Sequence, residues 1–455
     1  MCSVRGFKYI KNAWELARDD LHLFALELAE YALSVADPYN AVSKSLKLRG
    51  QTLLVGDFEV QVDEGVHVVG FGKASRRMVE AVYSVLGDRV RGGVVITPSD
   101  EGFIGPVRLL RGDHPVPGEN TLRSSRALLE YLAGNVDSRD IVLVLISGGG
   151  SALFEVPEDE VSIGEIAWIT SELMKRGADV FELNTVRKRL SKVKGGKLLR
   201  YIKARAVVSL IVSDVVGDRL DTIASGPTAP DETTFRDAYR VLLKYKLWSE
   251  LDGGLKSVLE KGLKGELRDT LKPGDPVFNN VRNIIVASNK MVLEALANKA
   301  REAGFNALIL TAMLEGEARE AGRVLGSIVK STRVYSYPTP PPTVLLAGGE
   351  TTVTVRGRGV GGRNQELCLS LAISIRGLRD TVALCMGTDG VDGVSPAAGA
   401  IVDGSTINEA ESMRLNPIEH LDNNDTYTFF SKLRRAIVTG YTGTNVNDIL
   451  VAIVK

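Results

Sequence analysis

Six apolar residues at 141–146 run without interruption into Ser-Gly-Gly-Gly-Ser at 147–151. A strand that is apolar at every position must be covered on both faces. That requirement selects a parallel sheet flanked by helices over an antiparallel sheet with one wet face. The pattern recurs along the chain. Residues 67–70 lead into Gly-Phe-Gly-Lys-Ala-Ser, with a helix expected over 76–86. A strand at 93–97 stops at Pro98, and one at 107–110 precedes Gly-Asp-His-Pro-Val-Pro-Gly-Glu-Asn and a helix expected over 121–132. Residues 207–212 precede Ser-Asp-Val-Val-Gly-Asp. Strands alternating with amphipathic stretches indicate an α/β fold.

A chain of 455 residues exceeds one ordinary core, so two domains are expected. The pattern assigns 1–240, including helical periodicity at 10–50, to an N-terminal parallel-sheet domain. Residues 241–282, rich in Lys, Glu and Gly with a Lys-Pro-Gly-Asp-Pro turn, read as a connector. Alternation resumes with Ile-Ile-Val-Ala-Ser, giving a second, smaller α/β domain over 283–455, with antiparallel pairing expected around the Thr-Thr-Val-Thr-Val at 351–355. Lys plus Arg and Asp plus Glu both number 56. This balance argues against a nucleic-acid or membrane-surface protein. No apolar run approaches the ~18 residues that a membrane span needs. The first twenty residues show no signal core, so a cytoplasmic location is expected. Cys2, Cys368 and Cys385 form no C-x-x-C pair, and the histidines form no H-E-x-x-H motif. A metal here would be a hard cation on carboxylates and phosphate.

The loops after the apolar runs carry the chemistry, because open α/β sheets bind ligands at the carboxyl ends of their strands. Ser147, Gly148, Gly149, Gly150 and Ser151 offer backbone N–H groups to an anion, with the positive end of a following helix behind them. A tight turn would need only one glycine. In the earlier loop, Gly72 brings Lys73 to the mouth as a point charge for phosphate or carboxylate. The spacing is not that of a Walker A loop. Gly70, Gly72 and Ser75 come close to a dinucleotide fingerprint, yet no acid ends the next strand at Val95-Ile96-Thr97. This near miss is the only support for an oxidoreductase. Arg363, with Asn364 and Gln365, opens a helix after a glycine-rich loop and reads as a bidentate clamp on an anion. Asp214, Asp218, Glu350, Asp389 and Asp392 lie in three loops at expected strand ends. Each alone is an ordinary turn or cap residue; together they are candidates to bind magnesium or to deprotonate a hydroxyl. Asn184, Arg187, Lys194 and Lys197 read equally as a solvated basic face or as ligand contacts. His114 reads first as a loop residue, with catalysis the lesser reading.

In order along the chain, GFGKAS, GDHPVPGENT, LISGGGSALFEVP, LNTVRKRLSKVKGGKL, SDVVGDRLDTIASGPTAPD, AGGETTVTVRGRGVGGRNQE and GTDGVDGVSPAAGAIVDG resemble the class II glycerate kinases, whose C-terminal part is called MOFRL. The resemblance implies a larger Rossmann-like N-terminal domain, a smaller C-terminal domain, and a site in the cleft between them. It implies ATP and Mg2+ as cofactors and D-glycerate as substrate, phosphorylated to 2-phosphoglycerate. Lys73 and Arg363 are implied as the essential lysine and arginine. Asp214 and Asp389 are implied for magnesium or the base, and the glycine loop for nucleotide phosphates or the substrate carboxylate. Asn184, Arg187, Lys194, Glu350, Asn364 and Gln365 complete the expected contacts. A hydroxypyruvate reductase and a non-catalytic carboxylate-binding protein remain the alternatives. The oligomeric state, homodimer included, stays open.

Overall fold

The computed structural model describes residues 6–455; residues 1–5, Cys2 among them, lie outside the described residues. The chain forms two compact units. One is Pro38–Val286; the other combines the described residues up to Asp37 with Ala287–Lys455.

The first unit carries, after the helix Pro38–Ser45, a small antiparallel sheet of β1 (Leu46–Arg49), β2 (Thr52–Val55) and β3 (Phe58–Gln61). Its main sheet has seven strands: β4 (Val66–Phe71), β5 (Val90–Thr97), β6 (Gly102–Ile104), β7 (Val107–Arg111), β8 (Ile141–Ile146), β9 (Ala206–Val212) and β10 (Val281–Ala287). Their spatial order is β10-β9-β8-β4-β5-β7-β6. β4, β5, β7, β8 and β9 run parallel, and only β6 is shown antiparallel to its neighbour β7. β4, β8 and β9 are buried along their whole length, as uninterrupted apolar runs require.

The other unit has a six-stranded sheet of β11 (Asn306–Leu314), β12 (Thr343–Gly349), β13 (Thr381–Gly387), β14 (Gly399–Asp403), β15 (Ala436–Ile437) and β16 (Asp448–Val454), in the order β11-β12-β16-β13-β14-β15. β11 and β12 are parallel. The remaining pairs are antiparallel: β16 inserts between β12 and β13, and β14 pairs with both β13 and β15. Residues 351–355, expected to pair, form only an isolated bridge from Thr352 to Glu317. The alternating threonines and valines mimic a strand, but the slot beside β12 is filled by the more apolar final strand.

Three expected boundaries shift. The helix Asp20–Ala36 belongs with the C-terminal sheet. Phe24 stacks on Phe305 with ring centroids 5.0 Å apart, Arg18 pairs with Glu409 at 2.7 Å, and His22 bridges Asp19 and Asp403 at 2.8 and 3.0 Å. Apolar periodicity reveals a buried face without revealing which sheet covers it. The 241–282 segment is no free connector: Leu242, Leu247, Leu251, Leu255 and Leu259 pack with Ile166, Ile169, Val186 and Leu190. Its lysines and glutamates form the outer face of amphipathic helices. The Ile-Ile-Val-Ala run lies in β10 and completes the first sheet rather than opening the second. Among the described residues, no helix is long and apolar enough to cross a membrane.

Candidate active site

From β4 the chain winds outward through β5 and β7, then returns to β8 on the other side of β4 and continues to β9. The winding therefore reverses between β4 and β8, and the crevice beyond their carboxyl ends is where a doubly wound sheet binds ligands. Phe71 and Ile146, the last residues of these strands, are paired, so the two glycine loops leave the sheet side by side. Lys73 N–H donates to the Gly148 carbonyl at 2.9 Å, and Ala74 N–H to Ser147 Oγ at 3.1 Å. Ser147 thus ties one loop to the other and is itself buried. A side chain at Gly72, whose φ is +133°, would run into Ser147.

Several side chains meet over the second loop. A Cβ on Gly149, at φ +77°, would stand 2.9 Å from the His114 ring and 3.3 Å from Lys73 Cε. A side chain on Gly148 would collide with the Asp214 carboxylate. Lys73 is exposed. Partial burial, then the Lys73 charge, holds His114 below the ordinary imidazole pKa. His114 therefore stands over the glycine loop, where its lesser, catalytic reading would need it; its sequence signal was its place in the loop after a strand. Gly70 lies inside β4 and packs on Leu145, a role in the sheet rather than in ligand approach.

Behind the loop the expected picture changes. The helix after Gly149 is Gly150–Leu153, four residues long. Its peptide dipoles sum to little, so the expected positive helix end is missing. Ser151 Oγ lies 2.8 Å from Ser225 Oγ, and Ser225 donates to Asn184 Oδ1 at 2.8 Å. Ala224 and Ser225 hold left-handed backbone angles, φ 50° and 62°, a conformation that costs non-glycine residues about 1 kcal/mol or more each. Asn184 is buried and holds this strained turn through Thr222 O as well. Arg187 and Lys194 are also buried and spend donors on the protein. The basic stretch is not a solvated face: Asn184, Arg187 and Lys194 are buried and bonded within the chain. Helix Val180–Leu190 turns it inward, where Lys188 and Arg189 meet Asp231 at 3.2 and 2.8 Å.

In the other unit, Asp448 opens β16 opposite Gly349 of β12 and Gly387 of β13. Arg363, first residue of helix Arg363–Ser374, donates from Nε and Nη2 to Asp448 at 2.5 and 3.1 Å, and pairs through Nη1 with Glu350 at 2.9 Å. Burial opposes the guanidinium charge, but the Asp448 carboxylate outweighs it and raises the arginine pKa. Burial pushes Asp448 up to about 6 despite that partner. Glu350, expected to contact ligand, accepts from Asn447 Nδ2 at 3.0 Å and helps aim Arg363. Asn364 and Gln365, expected to contact ligand, are engaged within the chain. Buried Asp392 accepts both their backbone N–H groups at 2.9 Å, and their side-chain amides at 3.3 and 2.9 Å. The first turn of this helix is already capped by a carboxylate of the chain. Asp389 Oδ1 accepts from Val391 N–H at 3.1 Å, a turn contact.

Among the described residues, no three His, Cys, Asp or Glu side chains converge as a metal cage. One or two carboxylates still suit a magnesium ion carried mainly by nucleotide phosphates.

Residues 24–260 match the family described as a domain of unknown function, DUF4147, and residues 343–448 match the MOFRL family. A glycerate 2-kinase of Pyrococcus horikoshii is 42 % identical, covering 96 % of this chain and 98 % of its own. A D-glycerate 2-kinase of Thermotoga maritima is 41 % identical over 96 % of this chain and 99 % of its own. The crystal structure of a glycerate kinase from Thermotoga maritima superposes with a TM-score of 0.84 at 41 % identity, covering 95 % of this chain and 98 % of that one.

Proposed function

Since the chain belongs to the DUF4147–MOFRL family of glycerate kinases, we propose that it transfers the γ-phosphoryl group of ATP to the 2-hydroxyl of D-glycerate, forming 2-phosphoglycerate and ADP. The observation that carries this reading is the pair of glycine loops tied together at the point where the sheet winding reverses, with exposed Lys73 over Gly149. Phosphoryl transfer asks mainly for alignment and for positive charge around the migrating group. Backbone N–H groups of the 147–151 loop hold phosphate oxygens, and Lys73 neutralises charge that develops on them. Arg363, aimed by Asp448 and Glu350, keeps two N–H donors beyond those two partners for a carboxylate or phosphate oxygen. The substrate oxygen attacks phosphorus as the bond to the β-phosphate oxygen breaks, and the hydroxyl proton passes to a base. Asp214 and the neutral imidazole of His114, both against the glycine loop, are the groups placed to accept it. Asp214 and Asp389 are the carboxylates proposed for magnesium, which when bound would neutralise the β- and γ-phosphates.

The oxidoreductase alternative finds less support. Gly70 is spent on sheet packing, and β5 ends in Thr97 where a ribose-binding acid would stand. The test is ADP release from ATP, Mg2+ and D-glycerate, run beside NADH oxidation with hydroxypyruvate. ADP release without NADH oxidation is expected, and Lys73→Ala should lower it by at least about a thousandfold with the fold retained. NADH oxidation without ADP release would reverse the assignment.

A further inference from the structure

The charges behind the glycine loop do not balance. Along the same stretch, Lys188 and Arg189 share Asp221, Asp231 and Asp269, and Lys197 has Glu158 at 3.0 Å. Arg187 and Lys194 have one carboxylate between them, the fully buried Glu155, which lies 3.2 Å from Lys194. Arg187 Nε makes no hydrogen bond. Burying two cations against one anion is costly. The two cations also converge on one backbone atom: Arg187 Nη2 donates to the Ser151 carbonyl at 2.7 Å, and Lys194 Nζ to the same oxygen at 2.9 Å. Lys194 donates further to the Phe154 carbonyl at 2.8 Å.

We propose that Arg187 and Lys194 are positioning residues for the phosphates of ATP: they pin the turn that ends the glycine loop and place one uncompensated positive charge behind it. They replace the helix end that four residues cannot supply. Neither need touch the nucleotide; both act through the Ser151 carbonyl and through their field. The inference rests on the kinase reading.

It predicts a titration. Burial, opposed by Glu155, brings Lys194 down to about 8, so its charge is lost as the pH rises through that value. The charged groups around it are Glu155, Arg187 and Lys197, the last paired with Glu158. ATP binding to the full chain, measured by calorimetry without glycerate, tests the idea. Wild-type affinity should weaken about tenfold between pH 7 and 9.5, the worth of one charge several ångströms away at intermediate dielectric. Lys194→Arg should remove that alkaline loss. At pH 7, Lys194→Met should bind about tenfold more weakly, with the D-glycerate KM little changed. Wild-type affinity that is flat across this range overturns the proposal even if Lys194→Met does not fold. So does a folded Lys194→Met that binds ATP like the wild type. Failure of the wild type to bind ATP at all would instead remove the kinase reading beneath it.

Discussion

At the scale of residues, function depends on charges held by other charges. Arg363 is aimed by Asp448 from two nitrogens and by Glu350 from a third. Lysine cannot reproduce that fork, so Arg363→Lys should lower turnover by about a hundredfold or more. The pair also sets an acid limb. Above about 6, Asp448 is ionised and holds the guanidinium; below it the carboxyl takes up a proton and the grip loosens. Turnover should therefore fall as the pH drops through about 6. Stability should respond in the opposite sense. With the folded pKa raised, the native state binds a proton that the unfolded chain does not, so this group's contribution to stability improves from about 6 down toward the ordinary carboxylate range. Activity falling at pH 5.5 while this group favours the fold separates the clamp from acid unfolding. A pH–rate profile with no limb in this region would contradict the role given to Asp448.

At the scale of elements, the site is built by loops whose glycines are fixed by what lies above them. Gly149 is left-handed and covered by His114 and Lys73. Gly149→Ala adds about 1 kcal/mol of backbone strain and pushes on both side chains. It should lower turnover about tenfold or more with only a small drop in Tm. Unchanged turnover would show that the loop tolerates a shift and does not hold the phosphates. The position of this loop was legible in the sequence, because six apolar residues followed by three glycines have few other uses. Its backing was not. The helix after it is one turn long, and the basic stretch at 187–197 reads equally as a solvated face or as ligand contacts until the fold turns it inward. The partner of Asn364 and Gln365 was hidden for a related reason. Their glycine-rich entry signals a helix start, but the capping carboxylate, Asp392, lies 27 residues beyond Gln365.

At the scale of the whole molecule, the alternation of strands and amphipathic helices revealed an α/β chain of two units, with glycine loops at two strand ends that the fold sets side by side. What stayed hidden was pairing between distant segments. The helix Asp20–Ala36 crosses to the C-terminal sheet through Phe24 on Phe305 and His22 on Asp403. β16 slots between β12 and β13 from the far end of the chain. Neither partner is encoded locally. The central claim, phosphorylation of D-glycerate at its 2-hydroxyl, concerns the product of this assembly. It is tested most directly by coupling the reaction to enolase and pyruvate kinase with no phosphoglycerate mutase present. Only 2-phosphoglycerate feeds enolase, so immediate pyruvate formation in step with ADP release is the predicted result. ADP release whose pyruvate signal appears only after mutase is added would identify 3-phosphoglycerate and contradict the claim.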